Sequence, residues 1–266
     1  MYTFKYEKPS SVADAVALLK KSDDAKLLAG GQTLLPAMKL RLASPATTGD
    51  LSKGSGLSGG KKEGNDIGIG ALTKHVDVMN SPEVQKAIPA LAELASVIGD
   101  PAVRNRGTIG GSLANNDPSA DYPSAVLGLG ATVHTNKRKI AADDFFKGLF
   151  ETALESDEII EKVSFPVPAS AGYVKFRNPA SRFALVGVFV AKTAGGARVA
   201  VTGAGESGVF RAKDLEAALG KGWSAKSLEG VSVAPKGMIS DIHGSGEYRA
   251  HLIGVLARRA VAAAGG

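Results

Sequence analysis

Two glycine pairs, Gly30-Gly31 and Gly110-Gly111, constrain what this chain can fold into more than any other feature. The second lies in VRNRGTIGGSLANNDPSADYP, Val103 to Pro123, with Thr108 and Ser112 beside it, Arg104 and Arg106 upstream, and Asp117 and Asp121 downstream. Glycine lets a backbone approach a ligand closely and take up positive φ, so that successive N–H groups turn inward as a concave donor site. The stretch therefore reads as a loop wrapped around an anion such as a diphosphate, or else as a tight turn between two strands. The first pair tips the balance toward the anion. A strand at 2–6 is followed by a helix from Val12 to Lys20, in which Val12, Ala15, Val16 and Leu19 recur at helical spacing. The apolar run Lys26 to Ala29 then ends in Gly30-Gly31, ahead of a short helix predicted over 37–42. Strand, helix, strand and glycine loop can present free N–H groups where the next helix begins. No GxGxxG opens that helix and no G-K-[ST] follows the loop, which removes the two commonest nucleotide-binding patterns.

Composition narrows the function classes. The 266 residues suffice for one large domain or two ordinary ones, and 44% hydrophobic with 22% charged residues is the make-up of a globular protein with a core. Lysine and arginine number 32 against 26 acidic residues, a surplus that suits an anionic ligand. The basic residues are scattered and not interleaved with aromatics, so no nucleic-acid partner is expected. There is no cysteine, which rules out disulfides, thiolate nucleophiles and cysteine-ligated clusters on this chain. The N-terminal MYTFKYEKPS lacks the apolar core of a signal peptide, and no apolar run is long enough for a transmembrane segment; a cytoplasmic location is expected.

Along the remaining chain, 48–65 is rich in Gly, Ser and Lys and reads as a hairpin loop or junction with little function of its own. Ile67 to Ala71 alternates as a strand, and 82–97 has helical spacing that Pro89 interrupts or restarts. His75 reads as an ordinary surface or turn histidine. Tyr122 to Leu129 is a short helix with Asp121 or Ser119 near its N-cap and Pro123 in the first turn. Strands follow at 131–135 and 158–165, and Pro166 and Pro168 mark a domain boundary. Beyond it come three strands, at 172–177, 184–192 and 198–202, and helices at 215–219 and 251–263. The fold class is α+β.

With both glycine segments in view, the sequence resembles the FAD-binding medium subunit of the molybdenum hydroxylases, the group that includes xanthine dehydrogenase and aerobic carbon monoxide dehydrogenase. The residues that carry the resemblance are AGGQTLLPAMKLRL (Ala29 to Leu42), RNRGTIGGSLANNDPSADYP (Arg104 to Pro123), DEIIEKVSFP (Asp157 to Pro166) and YVKFRNPASRFALV (Tyr173 to Val186). The segments SVIGDP and NNDP look most like the carbon monoxide dehydrogenase type. The resemblance implies a two-lobed FAD-binding domain over 1–166, with a small α/β lobe at about 1–55 and a larger α+β lobe at 56–166. A C-terminal α+β domain with a three-stranded antiparallel sheet, 167–266, would follow.

By the same resemblance Ala29, Gly30, Gly31, Gln32, Thr33 and Leu34, with Thr108, Ile109, Gly110, Gly111 and Ser112, would hold the diphosphate and the flavin edge. Asp121 would accept hydrogen bonds from the ligand, Ile98 and Ile160 would pack on it, and Lys175 would stand near it. Asp121 as a plain helix cap, Lys175 as a solvated strand residue and the two isoleucines as core are the structural alternatives. No catalytic acid or base and no metal ligand is expected on this chain. Its implied partners are an iron–sulfur small subunit, docked near the second glycine segment, and a molybdopterin-containing large subunit. The chain is short for this group, and its 53–65 loop is hydrophilic. Two other readings stay open from the residues: a scaffold that keeps the fold without flavin, and a free-standing flavin oxidoreductase.

Overall fold

The protein is described from a computed structural model covering residues 1–54 and 56–266. It begins with β1 (Lys5–Glu7), α1 (Val12–Lys21), β2 (Ala25–Leu28), α2 (Leu34–Lys39) and β3 (Thr47–Asp50). Ser11 caps α1 by accepting the Asp14 N–H, and Lys20 and Lys21 sit in its last turn, where the helix dipole favours cations. The three strands form a parallel sheet in the order β1-β3-β2. Its central strand therefore comes from the polar segment expected to be a loop or junction. TTGD shows no alternation because its neighbours need small residues: Thr48 is fully buried, and a Cβ on Gly49 would stand 2.8 Å from a methyl of Leu18.

From residue 60 the chain makes β4 (Gly60–Glu63) and β5 (Asp66–Gly70). Six helices follow: α3 (His75–Asn80), α4 (Pro82–Ala87), α5 (Pro89–Ser96), α6 (Pro101–Arg104), α7 (Ile109–Asn115) and α8 (Tyr122–Leu129). Then come β6 (Thr132–Thr135), β7 (Lys139–Ala141), α9 (Ala142–Phe145), the hairpin β8 (Phe146–Gly148) and β9 (Glu151–Thr152), and β10 (Ile160–Pro166). A five-stranded antiparallel sheet, β4-β5-β10-β6-β7, packs its apolar residues Ile67, Ile69, Val163 and Phe165 with Ile88, Leu91 and Leu94 of the helical layer. Pro89 restarts the helix, since proline at the first helical position loses no hydrogen bond.

The stretch from Val103 to Pro123 is neither an open loop nor a turn between strands. It is the end of α6, a turn, and α7, with the glycine pair in the first turn of α7 and neither glycine at positive φ. Thr108 makes the difference: its side chain caps α7 by accepting the Gly111 N–H at 3.2 Å, and a capped start draws the glycines into the helix.

The last part contains β11 (Ser170–Arg177), β12 (Ala184–Thr193), β13 (Gly196–Thr202), β14 (Phe210–Arg211), α10 (Lys213–Lys221) and α11 (Gly246–Ala263). The sheet has four strands, β11-β12-β13-β14, and not the three expected. The fourth has only two residues and arises because the turn after β13 leads the chain back to pair Phe210 and Arg211 with Val201 and Ala200. The unbroken apolar run of β12 is explained by burial on both faces. Val186, Val188 and Val190 pack with Leu252, Ile253 and Leu256 of α11, whereas Phe189 and Ala191 belong to the core around α5 and α8. Helix α8, held between the two sheets, is buried along its whole length, as its nearly all-apolar sequence requires. Among the described residues no helix is long and apolar enough to cross a membrane.

Candidate functional site

The turn from β2 into α2 is built from Ala29 to Thr33. Gly31 has φ +73°, a conformation that favours glycine. Gly30 is glycine for a different reason: a Cβ there would lie 2.2 Å from the carbonyl oxygen of Arg106 and 2.7 Å from Cα of Gly107. The two glycine segments thus meet backbone to backbone. Among the described residues, none of the N–H groups from Ala29 to Leu34 donates to a protein acceptor. Buried or half-buried backbone donors are almost always paired, so a run of unpaired ones beside a cleft marks a place for an external acceptor.

The second segment spends its donors from Arg106 to Ser112 within the protein, except the Thr108 N–H, which donates to no acceptor among the described residues. The N–H of Gly107 donates to Val103 O, that of Ile109 to Thr73 O, that of Gly110 to Ala71 O at 2.8 Å, and that of Ser112 to Thr108 O. A Cβ on Gly110 would stand 2.6 Å from the Ala71 side chain, so this glycine serves the approach of α7 to the end of β5. Gly111 faces the first turn, with Ala29 Cβ 3.6 Å from where its own Cβ would be. Donors cluster on Ala29 to Leu34, and Thr108 to Ser112 form the backing that holds them.

The two turns floor a cleft of about 670 Å³, a size ordinary for a cofactor site. Of the residues singled out from sequence, Ala29 to Leu34, Ile98, Thr108, Gly110, Gly111, Ser112, Asp121 and Ile160 all line it. Two do not. Ile109 is fully buried in the helical core, and Lys175 is enclosed behind Asp121. The Lys175 Nζ donates to both carboxylate oxygens of Asp121, at 2.9 and 3.1 Å, and to Val97 O. The Tyr173 hydroxyl donates to the same carboxylate at 2.6 Å. Asp121 is thus not a helix cap, for its side chain accepts nothing from α8; nor is Lys175 a solvated strand residue. Burial pushes the Asp121 carboxyl upward, while Lys175 and Tyr173 pull the other way.

Three further features at the cleft were not among the site residues expected from the sequence. His75 is not a surface histidine: it is buried and lines the cleft, with its backbone N–H on Gly107 O and its ring against Gly107. Burial, aided by the charge of Arg104, lowers its pKa to about 4, so the ring is neutral. Among the described residues its Nδ1 has no partner, and neither has the hydroxyl of Tyr122, whose ring centre is 5.3 Å away. Phe183 also lines the cleft while half exposed, presented by Arg182 at φ +63°, a strained conformation for a non-glycine residue. Glu158 lies at the wall, held at about 2 by Arg138, which with Thr135 engages its carboxylate. These placements depend on segments distant in the chain; the motifs around Phe183 and Glu158 were visible beforehand, but not the roles of these side chains.

The donor set suits an anion flanked by apolar groups. The free N–H groups and glycine approach fit a diphosphate, and walls such as Leu72, Ile98, Ile159 and Ile160 fit ring systems at its ends.

Comparison with known proteins agrees with this chemistry. Residues 2–168 match the family model described as "FAD binding domain in molybdopterin dehydrogenase". The chain is 37% identical to the nicotine 6-hydroxylase medium subunit of Paenarthrobacter nicotinovorans, over 98% of this chain and 97% of that protein. It is 35% identical to the carbon monoxide dehydrogenase medium chain of Hydrogenophaga pseudoflava, over 98% and 96%. Its structure is similar to a chain of quinoline 2-oxidoreductase from Pseudomonas putida 86, with a TM-score of 0.88, 31% identity, and coverage of 99% and 97%.

Proposed function

Because the chain belongs to the family of FAD-binding domains of molybdopterin dehydrogenases, we propose that it is the FAD-binding, electron-transfer subunit of a molybdenum hydroxylase. FAD is its cofactor. When bound, the flavin accepts electrons and passes them to an external acceptor, chemistry that belongs to the cofactor and not to side chains. The chain's own residues bind and orient it. Ala29 to Leu34 donate N–H groups to the diphosphate; Thr108, Gly110, Gly111 and Ser112 back them and border the cofactor. Ile109 anchors that backing from the core. Ile98 and Ile160 pack on the ligand, Asp121 faces it, and Lys175 fixes the Asp121 carboxylate from behind.

Residues 1–166 make up the two-lobed FAD domain, with lobes near 1–55 and 56–166, and 167–266 the C-terminal domain. The partners are an iron–sulfur small subunit and a molybdopterin-containing large subunit, in the cytoplasm. The relatives' names span nicotine, carbon monoxide and glyceraldehyde, so the substrate is chosen on another chain.

The observation that carries this reading is the run of unpaired N–H groups from Ala29 to Leu34 at the floor of the cleft. The test is the colour and flavin content of the purified chain. Stoichiometric FAD, or its uptake on incubation, is expected; a preparation that stays colourless with FAD would return the chain to the role of a scaffold.

A further inference from the structure

Helix α2 ends in a way that its local rules do not explain. The Arg41 N–H donates to Met38 O and the Leu42 N–H to Ala37 O, the pair of bonds that closes a helix through one left-handed residue. That residue is Arg41, at φ +62°, where glycine is the ordinary occupant. An apolar residue following such a closure often packs back onto the last turn, yet Leu42 is 80% exposed, and Leu40 just before is 71% exposed. Arg41 lies over the ring of Tyr2, itself half exposed, with its guanidinium carbon 5.4 Å from the ring centre. Two leucines and a tyrosine are thus held at the surface around a cation by a strained backbone. Strain and exposed apolar surface that folding does not call for point to binding.

We propose that this patch anchors the iron–sulfur small subunit; the proposal rests on the flavin-binding reading above, which supplies the partner. Position and charge select that chain. On α2, Leu34 and Ala37 line the cofactor cleft, whereas Pro36, Lys39 and Leu40 lie on its exposed flank. A helix with its side chains is about 10 Å across, so a chain seated on that flank stands about that far from the cleft, the nearness an electron donor requires. The exposed turn 105–106 adjoins the head of the same segment, where Arg106 O meets Gly30. From Ala29 to Ala46, and again from Pro101 to Asn116, the chain has Lys39, Arg41, Arg104 and Arg106 and no carboxylate. A cluster ligated by four thiolates is anionic, so a cationic rim around an apolar centre matches the subunit that bears one. The cations steer its approach, and the leucines supply the contact that becomes buried. A second copy of this chain, seated face to face on the patch, would instead set like charges against each other.

The test uses the full chain, by itself, with the cluster-bearing chain, and with the molybdopterin-bearing chain. Leu40→Glu combined with Leu42→Glu should weaken binding of the cluster-bearing chain by about tenfold or more in titration calorimetry, as loss of a central apolar anchor does. Melting temperature and flavin content should not change, because neither side chain is packed in the chain itself. Lys39→Glu should weaken the same binding about threefold through slower association, an effect that high salt erases. Should the double variant fail to fold, hydrogen exchange on the native complex gives an independent readout, with protection expected at amides 37–43. Flavin content is read separately in every sample, so that co-elution with the cluster-bearing chain without FAD counts for the docking surface and against the flavin reading. Unchanged affinity in the double leucine variant, or protection confined to other segments, would overturn the proposal. So would a double variant that keeps the cluster-bearing chain and loses either the molybdopterin-bearing chain or self-association.

Discussion

A methyl group at Gly30 would overlap the Arg106 carbonyl, whereas one at Gly111 would meet only the Thr108 hydroxyl at 2.9 Å and Ala29 at van der Waals distance. The glycines of this site are therefore not equivalent. Gly110→Ala forces a Cβ against Ala71 and is expected to destabilise the fold by about 1–3 kcal/mol, the usual range for overpacking. Gly111→Ala should keep the circular dichroism and melting of the native protein while flavin content drops at least tenfold; unchanged flavin content would remove Gly111 from the site. Behind the cleft, Lys175→Met leaves a buried carboxylate on Asp121 without its cation, which costs about 3–5 kcal/mol. Asp121→Asn in the same chain should recover much of that loss. Denaturant unfolding of the single and double variants measures both, and a double variant no more stable than Lys175→Met would show that the ion pair is not the source. His75 adds a pH-dependent contribution. Its folded pKa of about 4 lies below the ordinary 6.5, so the unfolded chain binds the extra proton. Stability from the neutral ring is fully present above pH 6.5 and is lost as pH falls toward 4, by on the order of 3 kcal/mol. His75→Phe should flatten the unfolding free energy across that window relative to the native sequence.

At the scale of elements, legibility in the sequence followed burial pattern. Helix α8 was legible residue for residue because Pro123 and a compact apolar run leave little choice, and β12 because it is apolar on both faces. Strand β3 was not, since TTGD owes its place to contacts with α1 and its neighbours and carries no periodicity. The α2 helix begins at Leu34 and not Ala37, as Pro36 is tolerated in a first turn. Glycine-rich segments were legible as a pair but not as a division of labour: only tertiary contacts tell that Ala29 to Leu34 leave their donors free while Ile109 to Ser112 spend theirs on Ala71, Thr73 and Thr108. His75 was misplaced for a related reason. Its burial comes from Gly107 and Tyr122, more than thirty residues on, and no local signal announces it.

For the whole molecule, the cleft drawn from the first strands, the helical layer and the turn before β12 makes cofactor binding and folding one equilibrium. A ligand bound by the folded state alone stabilises it by about 2.7 kcal/mol at a hundred times Kd. FAD should therefore raise the melting temperature, and FMN, with one phosphate for the same run of donors, should raise it much less; equal shifts would count against a diphosphate site. The chain's composition carries the argument outward. It has no cysteine and so holds no cysteine-ligated cluster, yet a flavin that takes electrons one at a time needs a donor close by. Near the second glycine segment Thr108 to Gly110 are buried, so the surface there that can meet a partner is the turn 105–106, with Asn105 and Arg106 exposed. Co-expression with the cluster-bearing and molybdopterin-bearing chains should give a complex that co-elutes and whose flavin bleaches on addition of its substrate. Arg106→Glu should weaken that co-elution while leaving flavin content intact, because the contact to Gly30 is made by the Arg106 carbonyl and not by its side chain. Alone, the chain should be reducible by dithionite and inert toward carbon monoxide or purines. Rapid bleaching of the isolated chain by such a substrate would place the oxidising chemistry on a polypeptide whose cleft offers backbone donors, a neutral histidine, carboxylates engaged by Lys175 and Arg138, and Asp117, which accepts from the Ser119 N–H.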